Sequence, residues 1–235
     1  MAECMASLPP WRVRNSEAYY LSFLPMNHVV EGILATYSLF YAPTTLNIYF
    51  LGDFRRLQEG LVVVRPTVFF SVPRFYEKMW DGLMANPLAK GFLERPSRLK
   101  RWFLPSIVRR KALRAAGLDR CDYLICGSGP MSPEILTSLR RLGIEVHNAY
   151  GLTEAPLVTI NYPGRNRIDT VGEPLPRTEV TISADGEVLV KGPQVTSGYY
   201  GVKEQPFREG YLLTGDIGHL IEEGSLVLDG RKKEL

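Results

Sequence analysis

Three short apolar runs lie in the first 130 residues: 18–24 (Ala-Tyr-Tyr-Leu-Ser-Phe-Leu), 67–72 (Thr-Val-Phe-Phe-Ser-Val) and 122–126 (Asp-Tyr-Leu-Ile-Cys). Each is rich in aromatic or β-branched residues and reads as a buried strand. Each gives way at a proline or glycine to a stretch that reads as a helix: after Pro25, from Pro73, and past Gly127 from Pro133. Strands alternating with helices predict an α/β fold, a mostly parallel sheet with flanking helices. Ser132, Pro133 and Glu134 make a well-formed helix start: a capping hydroxyl, a proline at the first helical position and an early acid.

After Pro156 the texture changes. Short segments at 178–182, 186–190, 211–213, 219–221 and 225–228 are separated by turns of the Asp-Gly and Glu-Gly type. Repeated short strands with such turns predict a small antiparallel barrel-like β subdomain following the α/β part. The expected division is residues 1–160, 161–229 and a short tail at 230–235. With 45% hydrophobic residues, the 235-residue chain has ample material for a packed core.

Several classes of function lose support on composition. A net charge of +3, from 28 basic against 25 acidic residues, gives no global argument for nucleic acid. Three cysteines, Cys4, Cys121 and Cys126, have neither metal-ligand spacing nor the density of a disulfide scaffold. A reducing, cytoplasmic setting is expected. No secretory signal is expected, because Pro9, Pro10, Arg12 and Arg14 break the N-terminal apolar run, and the terminal Lys-Lys-Glu-Leu gains no support as a retention tail without one. The apolar run at 33–50 contains Thr36, Ser38, Pro43, Thr44, Thr45 and Asn47 and fits a buried helix, a proline turn and a buried strand rather than a membrane span. Residues 91–117 carry Arg95, Arg98, Lys100, Arg101, Arg109, Arg110, Lys111 and Arg114 among apolar side chains. This is an amphipathic helical insertion broken at Pro105, either a solvated face or a peripheral membrane contact through 95–114.

The densest chemistry lies in Tyr150, Gly151, Leu152, Thr153 and Glu154, expected in a strand-to-loop turn at the carboxyl edge of a sheet, where open α/β sheets bind ligands. Tyr150 offers a face for a flat base and Gly151 lets another group approach the backbone. Thr153 can donate to a phosphate oxygen, and Glu154 can hold Mg²⁺ as a hard oxygen ligand. The glycines of Gly127-Ser-Gly-Pro130 also allow close backbone approach, although any tight turn needs glycine.

These stretches do not stand alone. Leu24-Pro-Met-Asn-His28, Val72-Pro-Arg-Phe-Tyr-Glu77 and Cys126-Gly-Ser-Gly-Pro130 precede them. Gly186-Glu-Val-Leu-Val-Lys-Gly192 with Gly198-Tyr-Tyr-Gly201, Tyr211-Leu-Leu-Thr-Gly-Asp216 and Gly230-Arg-Lys-Lys-Glu-Leu235 follow. In this order and spacing the chain, from about Leu21 to its last residue, resembles the AMP-forming, adenylate-forming superfamily, and most closely its long-chain fatty acyl-CoA synthetases. The resemblance implies an acyl- and adenine-binding role for 1–160. Gly127, Ser128, Gly129 and Pro130 border the adenine, Tyr150 and Gly151 bind nucleotide, and Thr153 and Glu154 serve phosphate and Mg²⁺. Asp216 accepts from the ribose hydroxyls as an acceptor-only carboxylate can. Arg231 contacts ribose and α-phosphate, His28 lies near the acyl pocket, and Lys233 falls at a hinge to a C-terminal domain. On chemistry alone His28 reads as a packed or capping residue, Arg74 as a structural ion pair and Asp216 as a turn former.

The family reaction joins a fatty acid to coenzyme A at the expense of ATP through an acyl-adenylate. Family members carry a phosphate loop ending in Pro-Lys-Gly, which these residues lack, since the first glycine of the chain is Gly32. They also take a catalytic lysine from the domain beyond the hinge. The chain is therefore expected to be the middle segment of such an enzyme, without turnover of its own. Aryl-CoA ligases, luciferase-like enzymes and peptide-synthetase adenylation domains use the same motifs. A non-catalytic nucleotide-binding module and a membrane-surface scaffold are readings of other classes. Acyl chain length and oligomeric state stay open.

Overall fold

The computed structural model describes residues 17–40, 42, 44–94, 104–203 and 205–233. In chain order the elements begin with β1 (Glu17–Ser22), the helical turn α1 (Val29–Glu31), β2 (Thr45–Phe50), α2 (Leu57–Val64) and β3 (Val68–Ser71). Next come α3 (Pro73–Met84), α4 (Pro87–Glu94), α5 (Leu104–Ala115), β4 (Tyr123–Cys126) and α6 (Pro133–Arg141). From there the regular elements are strands: β5 (Val146–Leu152), β6 (Ala155–Ile160), β7 (Glu173–Pro174), β8 (Glu179–Ile182), β9 (Glu187–Lys191), β10 (Phe207–Arg208), β11 (Tyr211–Leu220) and β12 (Leu226–Arg231). The fold is α/β, with parallel pairing early and antiparallel pairing late. Two compact units form, one from the described residues within 12–25 and 44–146, the other from those within 26–43 and 147–235.

In the first unit β1 pairs parallel with β2, from Glu17↔Thr45 to Ser22↔Phe50, and β3 pairs parallel with β4, from Val68↔Tyr123 to Ser71↔Cys126. The four residues of β3 are all buried. Phe69 on that strand meets the rings of Phe23, Phe75 and Tyr76 at centroid distances of 5.8, 4.8 and 6.5 Å. Tyr76 is fully buried, and its hydroxyl donates to the Ile125 carbonyl at 2.8 Å, so the polar tip is satisfied inside the core. Proline at the first position of α3 and α6 and the Ser132 hydroxyl, which accepts from the Ile135 N–H at 3.4 Å, start these helices as the sequence requires.

β2 is half-exposed rather than buried, with Tyr49 and Phe50 open to solvent, because it is the outer member of a two-stranded pair. Pro105 is the second of the described residues of α5, and the part of the basic segment before Leu104 lies outside the described residues. On α5 Val108 is buried while Arg109, Arg110, Lys111 and Arg114 are exposed, a solvated basic face. Arg95, Arg98, Lys100 and Arg101 lie outside the described residues. No described helix is long and apolar enough to cross a membrane.

In the second unit β5 and β6 form an antiparallel hairpin, β7 pairs with β6, and β8, β9, β11 and β10 form an antiparallel sheet with β12 added to β11. What reads in the sequence as two strands, at 211–213 and 219–221, is one ten-residue strand, β11, that bends in the middle. Its register shifts against β9 between Leu213 and Ile217, and against β12 between Ile217 and Gly218. Ala155, Val158, Val188, Val190, Leu212 and Leu226 make the core of this unit together with the Tyr150 ring.

Candidate functional site

The bend in β11 joins Thr214, Gly215 and Asp216 to polar partners on three other strands. Gly215 takes φ 72°, a conformation that glycine adopts without strain, and the register against β9 shifts around it while Thr214 and Asp216 both stay on the buried face of the strand. Thr214 Oγ1 donates to the Val188 carbonyl at 2.7 Å and accepts from the Asp216 N–H at 3.1 Å. Asp216 therefore sits within a bent strand, not in the free turn that the Thr-Gly-Asp sequence suggests. Its carboxylate is 8% exposed and divided between two partners. The Tyr150 hydroxyl donates to Oδ2 at 2.6 Å, and Arg231 Nε lies 2.8 Å from Oδ1. β12 brings Arg231 into register, since it pairs with Asp216 across the ladder.

Electrostatics follow from that geometry. Burial, and then the hydrogen bond to Asp216, push the Tyr150 phenol far above its ordinary value, so it donates at every physiological pH. A carboxylate offers about four lone-pair sites. One hydroxyl and one guanidinium leave acceptor capacity for further hydroxyls. Arg231, with its side chain 57% exposed, spends Nε on Asp216, and a guanidinium carries more donors than that.

Thr153 and Glu154 form the two-residue turn of the β5–β6 hairpin, where Leu152 pairs with Ala155. This differs from the strand-to-loop turn expected of the sequence: the chain folds back at once into β6. Gly151 faces its own chain, because a Cβ there would lie 2.4 Å from the Pro156 carbonyl oxygen. Thr153 is exposed, and Glu154 Oε1 accepts a hydrogen bond from the Tyr199 hydroxyl. The Glu154 carbonyl accepts from the Thr196 N–H at 2.7 Å, pinning the turn to the loop after β9. Among the described residues no group of three or more His, Cys, Asp or Glu side chains gathers as a metal cage.

The remaining expected residues are placed as follows. His28 caps α1, its Nδ1 accepting from the Val30 N–H at 3.2 Å, and the chain then runs through a π-helical stretch at Gly32–Thr36. In the first unit, the turn after β4 buries Gly127, whose N–H donates to the Ser71 carbonyl at 3.2 Å, and exposes Ser128, Gly129 and Pro130. Ser128 holds φ 64°, an unusual conformation for a side-chain-bearing residue. Lys233 is exposed, directly after an anchored Lys232.

Tyr150, Asp216 and Arg231, far apart in sequence, are thus brought together, and Thr153 and Glu154 share one turn. Sequence reasoning missed Tyr199, Glu187 and Lys232 as members of this polar framework. Tyr199 lay within the Gly-Tyr-Tyr-Gly stretch without a partner to suggest its use. Glu187 carried a signal, an acid opening a strand whose next three residues, Val188, Leu189 and Val190, are apolar. Lys232 carried none.

A family model described as AMP-binding enzyme matches residues 1–200. Long-chain-fatty-acid–CoA ligase 6 of Mus musculus is 32% identical over 253 residues, covering 92% of this chain and 35% of its own. Long-chain-fatty-acid–CoA ligase FadD15 of Mycobacterium bovis is 32% identical over 241 residues, covering 92% of this chain and 40% of its own. The chain spans well under half the length of these relatives. Among solved structures, o-succinylbenzoate CoA synthetase of Bacillus subtilis in complex with its acyl-adenylate intermediate matches with a TM-score of 0.72 at 21% identity, over 99% of this chain and 44% of that one. The anthranilate CoA ligase AuaEII in complex with anthranoyl-AMP matches with a TM-score of 0.71 at 17% identity, over 99% and 42%. At such identities the likeness is one of fold.

Proposed function

The chain belongs to the AMP-binding enzyme family, and from that premise we propose that it is the central part of an ATP-dependent long-chain fatty acyl-CoA synthetase. The observation that carries the proposal is Asp216, buried, charged and held between Tyr150 and Arg231 with acceptor capacity to spare. In this reading the two ribose hydroxyls of the nucleotide donate to Asp216, and the outer nitrogens of Arg231 face the α-phosphate side. The curated relatives, both long-chain ligases by name, support the choice of acid.

The reaction runs in two displacements. A fatty acid carboxylate oxygen attacks the α-phosphorus of ATP, the bond to the β-phosphate oxygen breaks, and pyrophosphate leaves. The coenzyme A thiol, losing its proton, then attacks the acyl carbon, and AMP leaves with the electron pair of the mixed anhydride bond. Such chemistry is positioning plus charge neutralisation. Thr153, exposed on its turn, donates to a phosphate oxygen. Glu154 fits as the protein carboxylate of a Mg²⁺ that arrives with ATP, since Mg²⁺ takes one or two carboxylates and completes its shell with phosphates and water. That ion, when bound, screens the phosphate charge. Tyr199 holds the carboxylate in one orientation for it.

A second reading, an aryl-CoA ligase, draws on the anthranilate and o-succinylbenzoate enzymes among the structural neighbours. We further propose that these 235 residues bind an acyl-adenylate but do not turn over by themselves, and that the basic face of α5 meets anionic lipid. The test is calorimetric titration of a non-hydrolysable palmitoyl-adenylate analogue, with a benzoyl-adenylate analogue beside it, against the chain and against Asp216→Ala. Palmitoyl-adenylate binding that Asp216→Ala abolishes supports the long-chain reading. Preference for the benzoyl analogue moves it to the aryl reading, and binding untouched by the substitution contradicts the site. Co-sedimentation with vesicles that ignores anionic lipid content removes the membrane contact.

A further inference from the structure

The bend that presents Asp216 is held through the two successive peptide groups that flank Gly215. The Gly215 N–H donates to Glu187 Oε1 at 2.9 Å, and the Gly215 carbonyl accepts from the Lys232 N–H at 2.9 Å. The other oxygen of Glu187 lies 2.9 Å from the Lys232 ammonium, which also reaches Asp185 Oδ2 at 2.6 Å. Ser183 Oγ donates to Asp185 Oδ1 at 2.6 Å. The Lys232 ammonium and this serine hold the Asp185 carboxyl down at about 2. Two consecutive residues of the chain therefore grip one bend from its two sides: Arg231 holds Asp216, and Lys232, through Glu187, holds Gly215.

The burial of the partners is unequal, and that inequality decides the role. The Glu187 side chain is 9% exposed while that of Lys232 is 47% exposed. A half-exposed lysine contributes little to global stability through its ion pairs. A nearly buried carboxylate deprived of its cation, however, is unfavourable where it stands. It turns toward water, the Gly215 amide loses its acceptor, and a glycine at φ 72° has no side chain to resist reorientation.

We propose that Lys232 is a positioning residue for Asp216: by neutralising Glu187 it keeps that carboxylate on the Gly215 amide, and so fixes the direction in which Asp216 offers its remaining lone pairs. The role for ligand binding rests on the reading of Asp216 as the ribose acceptor. The clamp itself does not, and the test separates the two. Lys232→Met and Lys232→Arg are made in the 235-residue chain, and AMP affinity is measured by calorimetry and Gly215 amide exchange by NMR. In Lys232→Met, Gly215 exchanges about tenfold faster and AMP binds about tenfold more weakly, the equivalent of one charge-assisted hydrogen bond. The amide of Val158, fully buried on β6, stays protected, and Lys232→Arg restores both readouts. A neutral acceptor needs no cation, so adding Glu187→Gln to Lys232→Met also restores Gly215 protection; this double variant carries the test if the single one unfolds. Unchanged Gly215 exchange in Lys232→Met, or failure of both rescues, overturns the proposal. If the parent chain binds no AMP, the ribose reading fails while the exchange measurement still decides the clamp.

Discussion

Tyr150 does two things with one side chain. Its ring fills the core of the second unit, and its hydroxyl holds Asp216 at 2.6 Å. Tyr150→Phe keeps the ring and removes the donor from a buried charge, which predicts a loss of about 2 kcal/mol in chemical denaturation. Gly151→Ala tests a different cause: the added Cβ meets the Pro156 carbonyl oxygen at 2.4 Å, so the hairpin must shift, with a cost above 1 kcal/mol on the scale of overpacked sites. Cys126, 1% exposed, has its thiol pushed up to about 12 by burial. The unfolded chain gives up this proton near its ordinary value and the folded chain keeps it, so stability falls as pH rises above about 9, toward 12. A thermal melt at pH 7 and at pH 10 measures that direction. At this scale the sequence supplied the residue types but not their pairing. Asp216 and Arg231 were legible as single residues, whereas the contact that buries and orients the carboxylate joins positions 66 apart in the chain.

The helix starts show local signals that hold in the structure. Ser132 accepts from Ile135, Glu134 and Ser132 are 2.6 Å apart, and Pro133 opens the helix. Ser132→Ala is expected to destabilise by about 1 kcal/mol, and Ser132→Asp, which restores a cap, to recover most of it. The strands were less legible. β11 reads as two strands because Thr214, Gly215 and Asp216 look like a turn, and nothing local reveals that the ladder resumes after the bend. β6 went unread because Pro156 suggests a loop, yet Pro156 follows the first residue of an antiparallel strand whose pairing with β5 is set by the two-residue turn at Thr153 and Glu154.

For the whole molecule, the change from strand–helix alternation to repeated short strands was enough to give an α/β fold with a later antiparallel part, because periodicity and turn chemistry are written locally. The two compact units were not legible in the same way: each gathers segments from both sides of the other in sequence, and no linker composition marks where they exchange. In the proposed function the second unit has one central task, holding a ribose on Asp216. The most direct measurement is calorimetric titration of AMP and of 2′,3′-dideoxy-AMP into the chain and into Asp216→Ala. AMP should bind about tenfold or more tightly than the dideoxy compound, because without the ribose hydroxyls the spare lone pairs of the Asp216 carboxylate are covered by the ligand and given no donor, and the difference should vanish in Asp216→Ala. Equal affinity for both nucleotides in the parent chain would contradict the account.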